Sequence, residues 1–532
     1  MGSCWCCIYN CLGKARWWLE LPGSSEPKPF KALGTRPGGA LALARKVVRA
    51  VTCPVCGTLC DDLEVVVEDG RIIDVYNACA MGAAKFLHAQ EHRLKQPMIR
   101  KDGELKPVGL EEAIREAARI LAEAEYPILY GWSSTSCEAI RVGLELAEEL
   151  EGVIDNTATI CHGPSILAIQ DVGLSGFTLG QIRHRVDLVV YWGSNPWDAH
   201  PRHLERYSAF SEGRFQPSAW RRAILRLKAM QARRRAQRAR GPIYLAKEEM
   251  PEVPPLPDGV EPPEALFRET RRLVVVDVRR TPTAERADYF LRVRPGEDFE
   301  LLQAFRTVVR GEELDAPEVA GVPADVIYEV ADVMMSCRAG VLFFGLGLTM
   351  SRGKIRNIEM AISLVRDLNR YTKFFILPMR GHFNVTGANI VFTWTTGYPF
   401  AVDFSHGYPR YNPGETSVID ILNRGDSDAA LVVASDPVAH FPRKAVEHLV
   451  SNPLVVLDPA PTPTTAMADV VIPTAWVGIE VPGTAYRMDH VPLPLKKVVD
   501  PPPGVPSDEE VLRRLLAEVK RLKGRLVKAP AA

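Results

Sequence analysis

Short apolar segments that end in Gly, Asp or Ser turns recur along most of this sequence, and amphipathic helical segments separate them. Residues 109–125 carry apolar side chains three and four positions apart, as a helix with one buried face does. Apolar segments typical of buried strands lie at residues 127–132, 186–193, 271–280, 339–350, 429–437 and 452–461. This alternation predicts an α/β fold with doubly wound, Rossmann-like domains, in which helices cover both faces of a parallel sheet.

The turns that end these strands are candidate binding positions. In open α/β sheets ligands lie beyond the carboxyl ends of the strands, so a nucleotide-like cofactor is expected at these turns. The alternative is that each turn is an ordinary connection between a strand and a helix, because Gly, Asp and Ser are common in such connections. Both interpretations stay open at the level of the turns alone.

The eleven cysteines are unevenly distributed, and eight of them precede residue 80. Cys53, Cys56 and Cys60 lie on one short loop, and Cys79 follows a predicted β-hairpin. Four thiolates suit either zinc or an iron-sulfur cluster, since both bind soft sulfur ligands. Structural zinc sites commonly use two C-x2-C pairs, whereas three closely spaced cysteines with one distant fourth favour a [4Fe-4S] cluster. Zinc and isolated buried thiols are the alternatives, and a small N-terminal β-rich module is expected around the site.

Charge and hydropathy exclude several classes of protein. The chain has 65 basic and 65 acidic side chains, so no overall field draws it to nucleic acid. It contains no apolar run of about 18 residues, the length that a membrane-spanning helix needs. Its first residues lack the basic segment, apolar stretch and cleavage site of a signal peptide. We therefore expect a cytoplasmic protein with no membrane span and no nucleic-acid partner.

Two segments depart from the alternating pattern. Residues 1–47, with the group Cys4, Cys6, Cys7 and Cys11, show no sustained periodicity, and we interpret them as a disordered extension or an incorrectly assigned start. Residues 220–240 contain nine basic and no acidic side chains, and a proline-rich stretch follows them. A docking patch for an acidic partner or nucleic acid is one interpretation of this insertion. We favour a solvated surface helix with a semi-rigid linker.

A C-x2-C-x3-C…C cluster ahead of repeated α/β units resembles the molybdopterin oxidoreductases. Within them, several phrases resemble more closely the catalytic-subunit family of the formylmethanofuran dehydrogenases of methanogenic and related archaea. The phrases are CPVCGTLCDD (53–62), NACAMGAAKF (77–86), TICHGPS (159–165), WGSNPWDAHPRH (192–203), DVRRTPTAERADY (277–289), LPMRGHFNVTG (377–387) and GTAYRMD (483–489). The resemblance extends from about residue 50 to about residue 503, apart from the insertion near 215–268.

The resemblance implies a redox enzyme. It implies the reversible reduction of CO2 to formate, the first step of methanogenesis or its reverse, at a tungsten or molybdenum centre that is held by two molybdopterin guanine dinucleotides and fed by a [4Fe-4S] cluster. Cys161 matches the family's metal ligand, Arg380 matches its active-site arginine, and His162 is then a proton donor or acceptor beside the metal. These residue types suit the roles, because thiolates ligate metals, imidazoles titrate near neutral pH and guanidinium groups hold carboxylates. A structural thiol and an ordinary ion pair are the alternatives for Cys161 and Arg380.

The resemblance also implies the residues that hold the dinucleotides. They are Gly193, Ser194, Asn195, Pro196, Asp277, Arg279, Thr281, Thr283, Gly345, Gly347, Ser435, Asp436 and Pro437. Short Gly and hydroxyl residues let backbone N–H groups reach phosphates, and carboxylates can bind the edge of guanine. Lys85 is a candidate electron-relay contact between the cluster and a pterin, with an ordinary surface lysine as the alternative.

The implied organisation follows the chain. It comprises an extension (1–47), a [4Fe-4S] module (48–108), an α/β pterin-binding domain (109–214 and 377–430), the basic insertion and linker (215–270), a second α/β domain (271–376), an α/β segment that contacts the pterins (431–503) and a C-terminal helix and tail (504–532). This organisation lacks the C-terminal β-barrel of larger relatives.

The resemblance implies an obligate complex. A separate small β-barrel subunit is expected to cover the pterins, an amidohydrolase subunit to form formylmethanofuran, and ferredoxin-like subunits to carry electrons. A non-redox scaffold, similar to the corresponding subunit of the bacterial formyltransferase/hydrolase complex, and a stand-alone formate dehydrogenase are the rival interpretations. The sequence does not separate tungsten from molybdenum, because both metals use the same pterin and thiolate ligands.

Overall fold

A computed structural model describes residues 45–211, 216–217 and 270–526. Most of the predicted extension, its cysteine group and nearly all of the basic insertion lie outside the described residues. Within them, the chain forms a small antiparallel module, two large sheets with parallel centres and a C-terminal helix.

The N-terminal module is a three-stranded antiparallel sheet followed by a helix. Its strands, in sheet order, are Arg45–Val51, Leu63–Glu68 and Arg71–Tyr76, and the helix is Ala80–His88. Asp69 and Gly70 both adopt positive φ, as the two central residues of a type I′ hairpin turn do. Val65, Val67 and Phe86 are buried in its core. The loop with the first three cysteines connects the first two strands.

The first large sheet has nine strands, of which the middle five are parallel. In sheet order the strands are Arg410–Tyr411, Val402–Asp403, Val153–Asn156, Pro127–Gly131, Ala429–Val433, Leu454–Leu457, Val470–Ile472, Met98–Lys101 and Glu104–Pro107. Helices Leu110–Glu123, Cys137–Leu150, Val385–Thr396 and Asp508–Leu526 cover one face, and Val418–Arg424 and Arg443–Ser451 cover the other. Short helices at Pro437–His440 and Pro463–Met467 follow strands of this sheet.

The second large sheet is parallel throughout its five main strands. They are, in sheet order, Tyr289–Arg292, Thr270–Asp277, Leu188–Trp192, Ala339–Phe344 and Lys373–Pro378, and Gln216–Pro217 pairs with the second of them. Its helices are Gly163–Val172, Leu179–Arg185, Pro196–Ala199, Pro201–Arg206, Asp298–Val309, Ala324–Ser336, Leu346–Thr349 and Ile355–Leu368, with 3-10 turns at Thr157–Ile160 and Ala284–Arg286. Alternate strand residues enter two separate apolar cores. Both large sheets therefore have the predicted doubly wound α/β architecture.

The sheet pairing divides the chain differently from the expected boundaries. Leu188–Trp192 falls within the expected domain at 109–214, but it pairs with strands of the second sheet. Leu454–Leu457, placed in a separate segment at 431–503, lies inside the first sheet. Met98–Lys101, placed in the cluster module, also pairs with the first sheet. The reason is physical: an apolar strand has the same local pattern whichever neighbour it pairs with, so long-range packing decides its sheet.

The C-terminal part of the chain joins these units. A segment that includes the hairpin of Gly483–Tyr486 with Pro492–Leu495 packs on the cluster module, with Ile479, Val498 and Val499 in the shared core. None of the described helices combines the length and the apolar composition that crossing a membrane requires.

Candidate active site

The four predicted cluster cysteines are buried around one pocket. The loop that carries three of them is closed by a hydrogen bond from the backbone N–H of Cys53 to the carbonyl of Cys60, at 2.8 Å. Cys79 is the N-cap of the helix Ala80–His88, and its Sγ accepts from the N–H of Gly82 at 3.4 Å. The four side chains line this pocket together with Arg202.

The pocket disfavours free thiolates, and its sulfur atoms do not gather as the ligands of a single metal ion would. Burial, and then the other thiols, raise the pKa of Cys53, and burial raises the pKa of Cys56 to about 11. Among the described residues, His88, Glu91 and His92 form the single group whose three ligand atoms lie within 4.8 Å of one another, so no three cysteine sulfurs lie that close. A single tetrahedral zinc ion, with Zn–S bonds of about 2.3 Å, would hold its sulfur ligands less than about 4 Å apart.

The segments that carry Cys161 and Arg380 meet beyond the ends of the two sheets, where His162 Nε2 lies 3.2 Å from the carbonyl of Met379. Cys161 ends the 3-10 turn that follows the strand Val153–Asn156, and its Sγ donates to the carbonyl of Thr157 at 3.1 Å. Arg380 follows the strand Lys373–Pro378 by two residues and is 4% exposed. Burial lowers the pKa of Arg380 to about 10, while the electrostatic interaction with Cys161 opposes that change. The structure thus brings together the two residues that the sequence predicts for the metal and the substrate.

His162 is buried beside them, with both ring nitrogens in hydrogen bonds. Its Nε2 lies 3.2 Å from the carbonyl of Met379, and its Nδ1 lies 3.1 Å from the hydroxyl of Ser165. The carbonyl can only accept, so Nε2 carries the proton and Nδ1 accepts from the serine. Burial, and then Arg380, lower the pKa of His162 to about 3. The structure therefore holds a neutral imidazole here, whereas the ordinary value used for the sequence expectation lies near neutral pH.

The predicted nucleotide residues form two copies of one arrangement. Residues 193–196 follow the strand Leu188–Trp192, and residues 434–437 follow Ala429–Val433. Gly193 and Ala434 both adopt positive φ, of 55° and 47°, and a four-residue helix begins at the proline three positions later in each copy. We call these copies strand-end repeats.

In each repeat, a threonine that follows the neighbouring strand forms hydrogen bonds with the turn. Thr283 Oγ1 donates to Asn195 Oδ1 at 2.7 Å and accepts from the N–H of Trp197 at 3.1 Å. In the second copy, Thr464 Oγ1 donates to Asp436 Oδ1 at 2.6 Å and accepts from the N–H of Val438 at 3.1 Å. The predicted residues Ser194, Pro196, Ser435 and Pro437 lie in the same turns.

The sequence analysis identified Asp277 but not its counterpart in the first sheet, Asp458. Asp277 ends its strand, accepts from the backbone N–H of Arg279 at 3.1 Å and is followed by the buried Thr281. Asp458 directly follows the equivalent strand of the first sheet, Leu454–Leu457, accepts from the N–H of Ala460 at 2.8 Å and is followed by Thr462 and Thr464. The signal is present as an internal repeat, because VVVDVRRTPT (274–283) and VVLDPAPTPT (455–464) share the Asp and the Thr-Pro-Thr at the same spacing.

The predicted glycines of the second sheet pack on one another. The N–H of Gly347 donates to the carbonyl of Gly193 at 2.9 Å, and a Cβ on Gly345 would lie 2.5 Å from that oxygen. A Cβ on Gly347 would lie 2.6 Å from the Gly193 Cα. Their close approach is therefore between two strand-end turns, which only glycine allows.

Lys85 lies between the cysteine pocket and the strand ends. It belongs to the helix that Cys79 caps, and its Nζ lies 3.3 Å from the centre of the Trp476 ring. Burial raises the pKa of Asp458 to about 7, and the Lys85 cation opposes that rise. The lysine is thus near enough to act electrostatically on Asp458, which follows the strand Leu454–Leu457.

Several buried polar atoms at these strand ends have no hydrogen-bond partner within the described part of the chain. They are Nε of Arg380, Nδ1 of His200 and both ring nitrogens of His440. Buried polar atoms are normally hydrogen-bonded, so unpaired ones mark room for a polar group. Two carboxylates, several hydroxyls and these atoms form a donor and acceptor set that fits a dinucleotide-linked cofactor.

Comparisons with known proteins agree with this geometry. The molybdopterin oxidoreductase family model matches residues 93–231. Acetylene hydratase from Pelobacter acetylenicus matches 89% of this chain and 69% of its own, with a TM-score of 0.61 and 14% identity. A chain of the formyltransferase/hydrolase complex from Methylorubrum extorquens matches 80% of this chain and 99% of its own, with a TM-score of 0.57 and 21% identity. These two structures share the fold, and the matched residues 93–231 form a molybdopterin oxidoreductase domain.

Sequence identity then gives the family. One of the subunits of the tungsten-containing formylmethanofuran dehydrogenase 2 of Methanocaldococcus jannaschii is 51% identical over 480 residues, which are 90% of this chain and 99% of that protein. The chain belongs to the formylmethanofuran dehydrogenase subunit family that this relative represents.

Proposed function

We propose that this chain reversibly reduces CO2 to formate at a tungsten or molybdenum centre held by two molybdopterin guanine dinucleotides. The observation that carries the proposal is the contact between the segments of Cys161 and Arg380, where His162 Nε2 lies 3.2 Å from the Met379 carbonyl, beside a buried pocket of four cysteines. The high identity to a tungsten-containing relative supports it over nearly the whole described chain.

The residues at this centre have separate tasks. When bound, the metal supplies the two-electron chemistry at the carbon atom. Cys161 would hold the metal through its thiolate, and Arg380 would hold the carboxylate of formate, which gains strength because the guanidinium is shielded from water. His162 handles a proton only when its contact with Ser165 or Met379 opens, since both ring nitrogens are engaged.

The four-cysteine pocket suits a [4Fe-4S] cluster as the point where electrons enter. Its sulfur atoms are spread more widely than the ligands of one zinc ion, and a cubane cluster needs such a spread because each sulfur binds a different iron. A cluster also stabilises the thiolates, which burial otherwise disfavours. Lys85 is the proposed contact from this pocket toward a pterin.

The two strand-end repeats suit two dinucleotides. In each repeat, a carboxylate at a strand end can bind the edge of guanine and nearby hydroxyls can bind phosphate oxygens. Asp277 with Thr281 would serve one dinucleotide, and Asp458 with Thr462 the other.

We further propose that the chain acts in a multi-subunit complex. The partners are a small β-barrel subunit that covers the pterins, an amidohydrolase subunit that condenses formate with methanofuran, and ferredoxin-like subunits that deliver electrons. The name of the related formyltransferase/hydrolase complex supports the presence of partner subunits.

Metal analysis of the native complex, with an activity assay, tests the proposal. We expect tungsten or molybdenum, iron, pterin and guanine nucleotide in the purified complex, and viologen reduction that depends on formate. A complex without tungsten, molybdenum and iron would show instead a non-redox scaffold. Comparing the assay with and without methanofuran separates this function from that of a stand-alone formate dehydrogenase.

A further inference from the structure

The cysteine loop is joined directly to the loop that carries Arg380. The backbone N–H of Gly57 donates to the carbonyl of Gly381 at 3.0 Å. Beside it, Cys56 and His382 form an antiparallel β-bridge. The residue between two proposed cluster ligands therefore contacts the residue next to the proposed substrate-binding arginine.

Gly57 has no room for a side chain on that side. A Cβ on Gly57 would lie 2.5 Å from the carbonyl oxygen of Arg380, well inside the 3.4 Å at which ordinary contact begins. The obstacle is backbone, which cannot swing away as the end of a long side chain can. An alanine at this position would push the two loops apart by about 0.9 Å, the difference between those two distances.

A further hydrogen bond restrains the backbone on each side of this contact. The carbonyl oxygen of Arg380 accepts from Nε2 of the buried His200 at 2.8 Å. The carbonyl of Gly57 accepts from the N–H of Met488 at 3.0 Å. A shift of one loop is therefore expected to move the other, because these two hydrogen bonds hold the backbone on each side of the contact.

We propose that Gly57 is a positioning residue, through which the cysteine loop fixes the place of Arg380 for formate binding. The cluster module then has a second task besides electron transfer, since it sets the distance between the guanidinium and the Cys161 side of the centre. This inference rests on the proposed function, which assigns formate to Arg380.

The test compares Gly57→Ala with Gly180→Ala in the purified holo complex. Gly180 lies in the helix Leu179–Arg185, is exposed and has nothing within 4 Å of an added Cβ, so its variant controls for the exchange itself. A misplacement of about 1 Å can lower the efficiency of a reaction about 100-fold. We expect Gly57→Ala to raise the KM for formate about 10- to 100-fold with a smaller change in kcat, and Gly180→Ala to match the wild type.

Two further readouts separate positioning from damage. The EPR signal of the reduced cluster in Gly57→Ala should keep its wild-type shape and intensity, and a crystal structure of the variant should show the Arg380 carbonyl displaced. An unchanged KM with an intact cluster signal would overturn the inference, as would loss of the cluster signal, because Gly57 would then serve the cluster alone. Failure of the proposed function looks different: the wild type itself would show no formate oxidation, while the crystal structure would still report the place of Arg380.

Discussion

Replacing Arg380 by lysine tests the role of its guanidinium without removing the positive charge. A guanidinium can hold both oxygens of a carboxylate, whereas an ammonium offers a single point of contact. Losing one charge-assisted hydrogen bond costs about 1.5 to 3 kcal/mol, which corresponds to about a 10- to 150-fold loss of kcat/KM for formate. We expect Arg380→Lys to show this loss in the viologen assay.

The pH dependence of the same variant gives a second, independent magnitude. Burial lowers the pKa of Arg380 from 12.5 to about 10, so the guanidinium stays cationic throughout the neutral range. The same burial acting on a lysine, whose ordinary pKa is about 10.4, would bring it to roughly 8. Only the cationic form holds formate, and this form is lost as the pH rises through the pKa. The alkaline limb of kcat/KM should therefore move down to about pH 8 in the variant.

A matched exchange controls for the change of residue type. Arg443 has a 91% exposed side chain and pairs with Glu447 at the start of a surface helix. Arg443→Lys should therefore leave both kcat/KM for formate and its pH profile unchanged. An Arg380→Lys complex with wild-type kcat/KM and an unmoved alkaline limb would refute the placement of substrate at this guanidinium.

Three further predictions concern the metal, the nucleotides and the fold. Cys161→Ala should abolish formate oxidation while the iron content and the cluster EPR signal stay intact; surviving activity would contradict the ligand assignment. Asp277→Asn and Asp458→Asn should each lower the guanine nucleotide released from the denatured complex from about two per chain toward one, and retention of the wild-type amount in both variants would argue against the paired sites. Glu480→Leu should destabilise the fold by about 3 to 5 kcal/mol in urea unfolding, because Arg93 is left charged in a site where both partners are at most 1% exposed. The double exchange Arg93→Met with Glu480→Leu should recover most of that loss, since it leaves no unpaired charge.

The sequence predicts the elements of this fold better than their partners. Strands such as Ala429–Val433 and Leu454–Leu457 are evident as apolar segments with polar turns, and the structure confirms the α/β class. The sequence could not predict the sheet to which Leu188–Trp192 belongs. Of the two strands that pair with it, the one nearer along the chain, Thr270–Asp277, is more than 70 residues away.

The candidate site shows the same division between residue type and environment. The sequence motifs around Cys53, Cys161 and Arg380 predict metal ligands and a carboxylate-binding group from residue types alone. The neutral state of His162 could not be predicted, since its low pKa comes from burial and from Arg380, neither of which is visible in the phrase TICHGPS. Asp458 could have been found from the sequence, because its segment repeats that of Asp277.

The duplication also accounts for the place of the proposed reaction centre. In sheet order, the strand Val153–Asn156 and the strand Lys373–Pro378 hold equivalent places, each next to the strand that borders a strand-end repeat. Cys161 follows the first of these strands and Arg380 follows the second. The strand-end features that the two large sheets share would bind two cofactors of the same kind. One metal ion and one small substrate need different ligands. The thiol of Cys161 after one sheet and the guanidinium of Arg380 after the other would meet that need, so the proposed chemistry falls where the two copies differ.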